Sequence, residues 1–295
     1  MIRSYPKIVS LMAWALITLW GVTAQGEEET VHIHIKGSDT LANVISAWGK
    51  AYREKVGEDI LIDVSGGGSG NGIAALINGH SDIASTSRKL RKREKRLINK
   101  KSKKQPYAVI VGQDAVSVLV HNNNPLNGIS IAQLAQIYGK RGEFDNWSDL
   151  GIKVPGCESG EIIRVSRKNN SGTYAFFRQA LFGKLAHFHA DIITFGSSKQ
   201  LVSHVAKNPC AIGYSGMGFL NASVKTLCVA QTTLEEGCIP PTATFTLDHS
   251  YPLSRPLFLY TLGEPKEPIR SFLAWIQDKE GQHILRKAGF VSSTH

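Results

Sequence analysis

The stretch DILIDVSGGGSGNGIAALING, residues 59–79, passes from an apolar run through a loop of serine and glycine into a second apolar run. The first run predicts a strand at residues 59–64, and residues 72–78, closed by Gly79, predict a short helix. A helix that begins directly after such a loop presents unpaired N–H groups and a partial positive charge. The segment therefore predicts one strand–loop–helix unit whose loop suits an anion.

Two other segments follow the same plan. They are GSDT, residues 37–40, and RKNNSGT, residues 167–173. A single Ser or Thr before a helix is usually just an N-cap, which is the simpler interpretation of each loop taken alone. Three such loops with glycines, together with Arg167, favour an oxyanion site, because a guanidinium can contact an oxyanion through two parallel hydrogen bonds. Residues 85–88, STSR, add a fourth polar strand end.

The rest of the chain alternates strand and helix patterns, which predicts an α/β fold with helices on the faces of a sheet. Residues 107–121 contain two apolar runs separated by GQD, which predicts two strands, and Gly281 predicts a break in the last helix. The other predicted strands are residues 31–35, 82–84, 161–166, 210–214, 224–230 and 257–261, and the predicted helices are residues 40–54, 131–139, 174–181, 198–205 and 268–287, with a basic helix after residue 84.

The N-terminus has the order of a secretory signal peptide. Basic Arg3 and Lys7 precede an apolar run at residues 11–21, and small residues follow it. We expect residues 1–26 to be removed and the mature protein to be periplasmic; an uncleaved N-terminal anchor is the alternative. Four cysteines in an exported chain favour disulfides, although buried free thiols stay possible and the sequence does not choose among three pairings. The cysteines are Cys157, Cys210, Cys228 and Cys238.

The formal net charge is +10, and eleven of the residues 88–104 are Lys or Arg, with Glu94 the one acidic residue among them. This run fits either a solvated helix face or a surface that holds polyanions. Export and the lack of aromatic residues within the run argue against a nucleic-acid partner.

Catalytic, metal and nucleotide motifs are weak. The glycine run lacks the GK[ST] of a P-loop, and its partial dinucleotide pattern precedes a very short helix. His32 with His34 and His187 with His189 each lie two apart, but no third metal ligand is evident, so we expect surface or packed histidines. No G-x-S-x-G elbow or suggestive carboxylate pair is present. We expect no cofactor, no metal and no enzyme activity.

With these loops in view, the chain resembles the PstS-type phosphate-binding proteins of ABC importers. The markers are GSDT at residues 37–40, VSGGGSGNGIAALINGHSDIA at 64–84, SR at 87–88, RVSRKNNSGTYAFFR at 164–178 and AIGYSGMG at 211–218. The resemblance implies a type II periplasmic-binding-protein fold, in which two lobes, each a mixed sheet flanked by helices, enclose phosphate in a cleft. It also implies delivery to a membrane permease powered by an ATPase on separate chains. We expect the receptor to be a monomer.

The turn-like NNNP at residues 122–125 predicts a crossover between lobes. We expect one lobe to comprise residues 27–120 and 217–295, and the other to comprise residues 121–216.

The resemblance also points to particular phosphate ligands. Those matching the motifs are Thr40, Ser69, Arg167, Ser171, Gly172 and Thr173, with Ser38 and Asp39 in the first loop and Ser87 and Arg88 at the strand end. Some members of the family carry an Asp at the position of Ser87, which accepts the proton of phosphate and so disfavours sulfate. We hypothesise that Asp39 supplies this acceptor here, while Arg88 adds positive charge.

Two other functions compete with a transport receptor. A surface protein could use residues 88–104 to hold polyanions or sense phosphate, and its binding would depend steeply on salt. A phosphatase would show turnover, but the sequence offers neither its nucleophile nor its metal cluster.

Overall fold

The computed structural model describes residues 1, 30–183 and 187–292. The predicted signal peptide, apart from Met1, lies outside the described residues. Of the helices in the described ranges, none combines the length and the apolar character needed to cross a membrane.

The alternation of strands and helices predicted from the sequence is confirmed. The strands are β1 (Val31–Gly37), β2 (Ile60–Ser65), β3 (Ile83–Thr86), β4 (Pro106–His121), β5 (Gly128–Ser130), β6 (Ile163–Arg167), β7 (Ile193–Phe195), β8 (Ala211–Gly216), β9 (Val224–Ala230) and β10 (Ser254–Leu262). The helices are α1 (Asp39–Val56), α2 (Ser69–Asn78), α3 (Lys92–Ser102), α4 (Ile131–Tyr138), α5 (Gly172–Phe182), α6 (Ser198–Lys207), α7 (Ala243–Leu247), α8 (Ile269–Gln277) and α9 (Lys279–Lys287).

The strands form one mixed sheet in the order β2-β1-β3-β10-β4-β8-β6-β7, with β9 pairing β4 and β5. On one side β1 runs parallel to β2 and β3, and on the other β6 runs parallel to β7 and β8. The long strand β4 joins the two sides, because its first part pairs antiparallel with β10 and its last part with β8 and β9. The carboxyl ends of β1, β2 and β6 lead into the three polar loops.

Two large groups of buried apolar side chains lie on the two sides of this junction. One contains Ile33, Leu41 and Trp48 together with Phe272 from α8. The other contains Val118, Tyr138, Trp147, Phe177 and Tyr214, and also Leu227, Tyr251 and Leu253. The division of the chain after residues 120 and 216 stays a prediction. Packing alone would group residues 224–253 with residues 121–216, because β9 and Leu253 contribute to the second group.

Two local predictions are wrong. Residues 107–121 form one strand rather than two, because GQD does not turn: β10 pairs along it across an irregularity at Leu257/Phe258. The last helix breaks at Asp278 rather than at Gly281. The Asp278 carboxylate accepts the Glu280 and Gly281 N–H groups and so starts a new helix. Gly281 is needed there because a Cβ would lie 2.5 Å from the carbonyl oxygens of Trp275 and Ile276.

The expectation of disulfides is confirmed, and the structure selects the pairing. Cys157 bonds to Cys210, and Cys228 bonds to Cys238. The first bridge lies within the second apolar group, where both of its cysteines are buried.

Candidate anion-binding cleft

The N-termini of α1, α2 and α5 meet at a cluster of hydroxyl groups. Thr40 Oγ1 of α1 lies 3.2 Å from Thr173 Oγ1 of α5, although the two residues are 133 positions apart. Ser87 Oγ, at the end of β3, lies 3.1 Å from Ser38 Oγ and 3.4 Å from Ser69 Oγ of α2. The three loops that the sequence singled out are therefore brought to one place, with contributions from both sides of the sheet.

The hydroxyl cluster is enclosed. Its members are almost fully buried and comprise Ser38, Thr40, Ser69, Ser87, Ser171 and Thr173. Ser171 acts as an ordinary N-cap of α5, since its Oγ accepts the Thr173 and Tyr174 N–H groups. Ser38 makes no such cap bond to α1. Its hydroxyl is directed to Ser87 instead, so the capping interpretation explains only part of the cluster.

Gly172 permits the close approach of α5 to the side of the sheet that contains β1, β2 and β3. A Cβ at this position would overlap both Ser69 Oγ and Ser87 Oγ. Any larger residue would therefore separate the loops that form the site.

The glycine loop and the RKNNSGT loop are also joined by two hydrogen bonds to backbone oxygens. The Gly70 N–H donates to Asn170 O at 3.0 Å, and the Asn170 side-chain amide donates to Gly67 O at 2.9 Å. Gly68 has a φ of 98°, and a Cβ there would lie 2.7 Å from Asn170 O. The glycine run is thus required by a turn and by this contact, as well as by any ligand.

Arg167 is buried and fully engaged with the protein. Its Nη1 lies 3.1 Å from Asp39 Oδ2 and donates to Ser198 Oγ, while Nη2 donates to Gly196 O at 2.7 Å. Burial lowers the pKa of Arg167, and the charge of Asp39 opposes that shift. The same Asp39 oxygen accepts the Ser198 N–H at 2.9 Å. Asp39 therefore ties the start of α1 to Arg167 and to the N-terminus of α6.

A second buried arginine completes the site, and sequence reasoning missed it. Arg255 Nη2 donates to Thr173 Oγ1 at 3.1 Å and to Thr40 Oγ1 at 3.4 Å. Its Nη1 donates to Ser87 O at 3.1 Å. Its charge is balanced by Asp114, whose Oδ2 lies 2.6 Å from Nη2. One signal was available: Arg255 and Asp114 are single charges in long apolar strands, which is unusual unless the charges are paired.

Comparisons with known proteins agree with this geometry. Residues 23–280 match the family described as the PBP superfamily domain. The phosphate-binding protein PstS of Pseudomonas aeruginosa is 30% identical over 267 residues, which cover 86% of this chain and 81% of that protein. The chain belongs to the PstS-type phosphate-binding protein family. The PstS of Staphylococcus saprophyticus is 29% identical, over 87% of this chain and 78% of that protein.

Solved structures share the fold of this chain. A putative phosphate ABC transporter substrate-binding protein from Clostridium perfringens, solved with bound phosphate, has a TM-score of 0.77 and is 27% identical. The match covers 89% of this chain and 99% of that one. An ABC-type phosphate transport receptor from Vibrio cholerae has a TM-score of 0.70 at 23% identity, over 88% and 99% of the chains, which supports the fold. The predicted two-lobed periplasmic-binding-protein fold is confirmed.

The side chain of Arg88, one of the predicted phosphate ligands, is bonded away from the hydroxyl cluster. Its Nη1 and Nη2 donate to the two oxygens of Glu94 at 2.8 and 2.7 Å. It lines a neighbouring cavity of about 760 Å³, whose wall includes Lys89, Arg91 and Arg178. The side chain thus stabilises the start of the basic helix α3, and the structure shows it bonded there rather than to the hydroxyls.

Proposed function

We propose that this chain binds inorganic phosphate in the cleft and supplies it to an ABC importer. The observation that supports this most is the meeting of buried hydroxyls and three helix N-termini around Gly172, beside two buried arginines. The named relatives are phosphate-binding proteins, and one neighbour was solved with phosphate.

The electrostatics of the cleft suit an anion that is held by dipoles. Arg167 is paired with Asp39 and Arg255 with Asp114, so each guanidinium charge is already balanced by a carboxylate. Hydroxyls that now bond to each other can turn their protons toward phosphate oxygens, and the helix N-termini add partial positive charge. Arg255 would then position the hydroxyls of Thr40 and Thr173, to which its Nη2 atom donates.

Binding would be coupled to closure of the two lobes. Ligand atoms held by α1 and α2 from one side and by α5 from the other favour the conformation in which these helices meet. The Gly70–Asn170 hydrogen bond forms in that conformation. We propose that the closed form docks to a membrane permease, which is powered by an ATPase on separate chains. In this proposal residues 27–120 and 217–295 form one lobe and residues 121–216 form the other.

The remaining parts of the proposal concern export and chemistry. We propose that residues 1–26 are removed on export, that the mature monomer works in the periplasm, and that it binds phosphate without turnover. The polyanion-binding alternative is not favoured, because the relatives are named for phosphate binding and Glu94 engages Arg88 of the basic segment.

The test is calorimetry on the mature chain after removal of co-purified phosphate. We expect one phosphate per chain and much weaker binding of sulfate. Thr40→Val should weaken phosphate binding roughly 10- to 150-fold, because a hydrogen bond to a charged group contributes about 1.5–3 kcal/mol. Ser46→Ala is the matched control on the exposed side of α1, where the hydroxyl donates to Ala42 O. No heat with phosphate would overturn the proposal.

A further inference from the structure

His32 and His34 lie on the solvent face of β1. The strand alternates, so that Ile33 and Ile35 are buried while both histidines are exposed. Their rings are roughly parallel, with centroids 5.9 Å apart. Because the two histidines are two residues apart on a strand, both side chains lie on the same face of β1. This spacing provides at most two ligands for a metal ion.

The neighbouring strand supplies a third side chain. β2 runs parallel to β1, and Asp63 lies opposite His34 in the register. Asp63 Oδ2 lies 2.9 Å from His32 Nδ1 and 3.2 Å from His34 Nδ1. An ordinary histidine–aspartate ion pair involves a single imidazole ring. Here the rings of both histidines contact the same carboxylate oxygen.

The dimensions fit a small transition-metal ion. Zinc bonds to imidazole nitrogen and carboxylate oxygen are about 2.0–2.2 Å long, so tetrahedral ligand atoms lie about 3.3–3.5 Å from each other. The three ligand atoms here all lie within 4.8 Å of one another. The two Asp63–histidine distances are within a few tenths of an ångström of this spacing. Rotation of the exposed rings would bring the two imidazole nitrogens to the same spacing, with a fourth position open to water.

We propose that His32, His34 and Asp63 form a surface site for a divalent transition-metal ion of the zinc class. Two imidazoles and one carboxylate favour zinc, nickel or copper over magnesium or calcium, which prefer oxygen ligands. In the described residues, this is the one group of three or more His, Cys, Asp or Glu side chains with such spacing.

The backbone that carries the ligands is held in place without a metal. The His34 N–H donates to Asp82 Oδ2 at 2.8 Å, and the Asp82 N–H donates to His34 O at 2.9 Å. β1 is also paired on both edges, by β2 and β3. A metal would therefore reorganise three side chains and no strand, which lowers the entropic cost of binding.

The site is separate from the phosphate cleft, although the same strand leads to both. Ser38 follows His34 by four residues, which corresponds to about 13 Å along an extended strand. Loss of the metal ligands should therefore leave phosphate affinity unchanged. The proposal of a metal site can therefore be wrong while the proposal of phosphate binding is right, and the reverse.

The test uses the mature chain, with Zn²⁺ by calorimetry at pH 7.5 and Co²⁺ by absorption as a probe of coordination. We expect one equivalent of Zn²⁺, and a loss of affinity of at least tenfold in His34→Ala and in Asp63→Asn. His189→Ala is the matched control, because His187 and His189 have the same spacing and a carboxylate near one ring. There Asp191 Oδ2 lies 3.7 Å from His189 Nδ1.

The outcomes separate the site from adventitious binding. Unchanged phosphate affinity and circular dichroism in His34→Ala would show that the loss is local. Equal losses in His34→Ala and His189→Ala, undiminished Zn²⁺ binding in Asp63→Asn, or no Zn²⁺ binding by the unaltered chain would each overturn the proposal.

Discussion

Asp114 and Arg255 form an ion pair in which both side chains are fully buried, with Asp114 Oδ2 2.9 Å from Arg255 Nε and 2.6 Å from Nη2. The same guanidinium also donates to Thr40 and Thr173, which lie on opposite sides of the cleft. One ion pair between β4 and β10 therefore supports the strand junction and the hydroxyl cluster together.

Removing one partner should destabilise the chain strongly. Asp114→Asn leaves the Arg255 charge buried without its counter-charge, which costs about 3–5 kcal/mol. Urea unfolding followed by fluorescence should show a lower midpoint. Lys50→Gln, which removes an exposed pair with Glu54, should leave the midpoint nearly unchanged. Equal midpoints for Asp114→Asn and the unaltered chain would contradict the importance of the buried pair.

Replacing both partners should separate stability from binding. Asp114→Leu with Arg255→Met removes both charges, and such replacements are often neutral or stabilising in other proteins. We expect the double variant to recover much of the stability lost by Asp114→Asn. The double variant should bind phosphate more weakly than the unaltered chain, because Thr40 and Thr173 lose their shared donor. A phosphate affinity equal to that of the unaltered chain would show that the guanidinium has no role in the site.

Gly172→Ala should hold the cleft open. Its Cβ would overlap Ser69 Oγ and Ser87 Oγ, and overpacking of this kind costs about 1–3 kcal/mol. Because the cost falls on the closed form, phosphate affinity should drop by roughly 5- to 150-fold. Gly66→Ala is the control in the glycine loop, since a Cβ there would meet nothing within 4 Å. Small-angle scattering with phosphate should show Gly66→Ala compact and Gly172→Ala extended; equal compaction would count against this reasoning.

Asp39→Asn tests how phosphate is distinguished from sulfate. Asp39 Oδ2 already serves Arg167 and Ser198, and we predict that the carboxylate also accepts the phosphate proton, which sulfate lacks. Calorimetry should show weaker phosphate binding and a smaller preference over sulfate in the variant. If selectivity is unchanged while phosphate affinity falls, the residue acts as a link between α1 and α6 and another group provides the acceptor.

Glu94 should make the fold sensitive to acid. Burial opposes its ionisation, but hydrogen bonds from the Arg88 side chain and the Arg91 N–H outweigh this and lower the pKa of Glu94 below its usual value of 4.5. A carboxyl group whose pKa is lower in the folded state stabilises the fold above the unfolded pKa. That contribution is lost as the pH falls through the folded pKa.

Glu94→Gln should therefore be less stable than the unaltered chain at pH 7, by about 1–3 kcal/mol. The gap should narrow in urea titrations below pH 4.5. Glu54→Gln, on the exposed face of α1, should show no such gap. A gap that is constant with pH would contradict the assigned role of the Arg88–Glu94 pair.

Much of the fold and of the site could be predicted because their signals are local. A strand, a polar loop and a helix follow one another directly in the chain. The spacing of the apolar residues and the positions of the glycines therefore define each unit. Those local signals single out the loops, and the resemblance to PstS-type proteins points to Ser38, Thr40, Ser69 and Thr173 within them. The structure brings these four residues together. The prediction of two strands separated at GQD was wrong, because the same short polar motif occurs both in turns and within strands. Here it lies within β4, where Asp114 forms a buried ion pair with Arg255.

The α/β pattern, the three anion-favouring loops and the even number of cysteines follow from the amino-acid sequence alone. Tertiary structure decided which residues meet: Asp114 with Arg255 across 141 positions, Cys157 with Cys210 across 53, and Asp63 with His32 across 31. The reason is physical: hydrogen-bonding patterns along a strand or helix depend on neighbours in the chain, whereas ion pairs and ligand sets depend on sheet register, which packing of the whole chain sets.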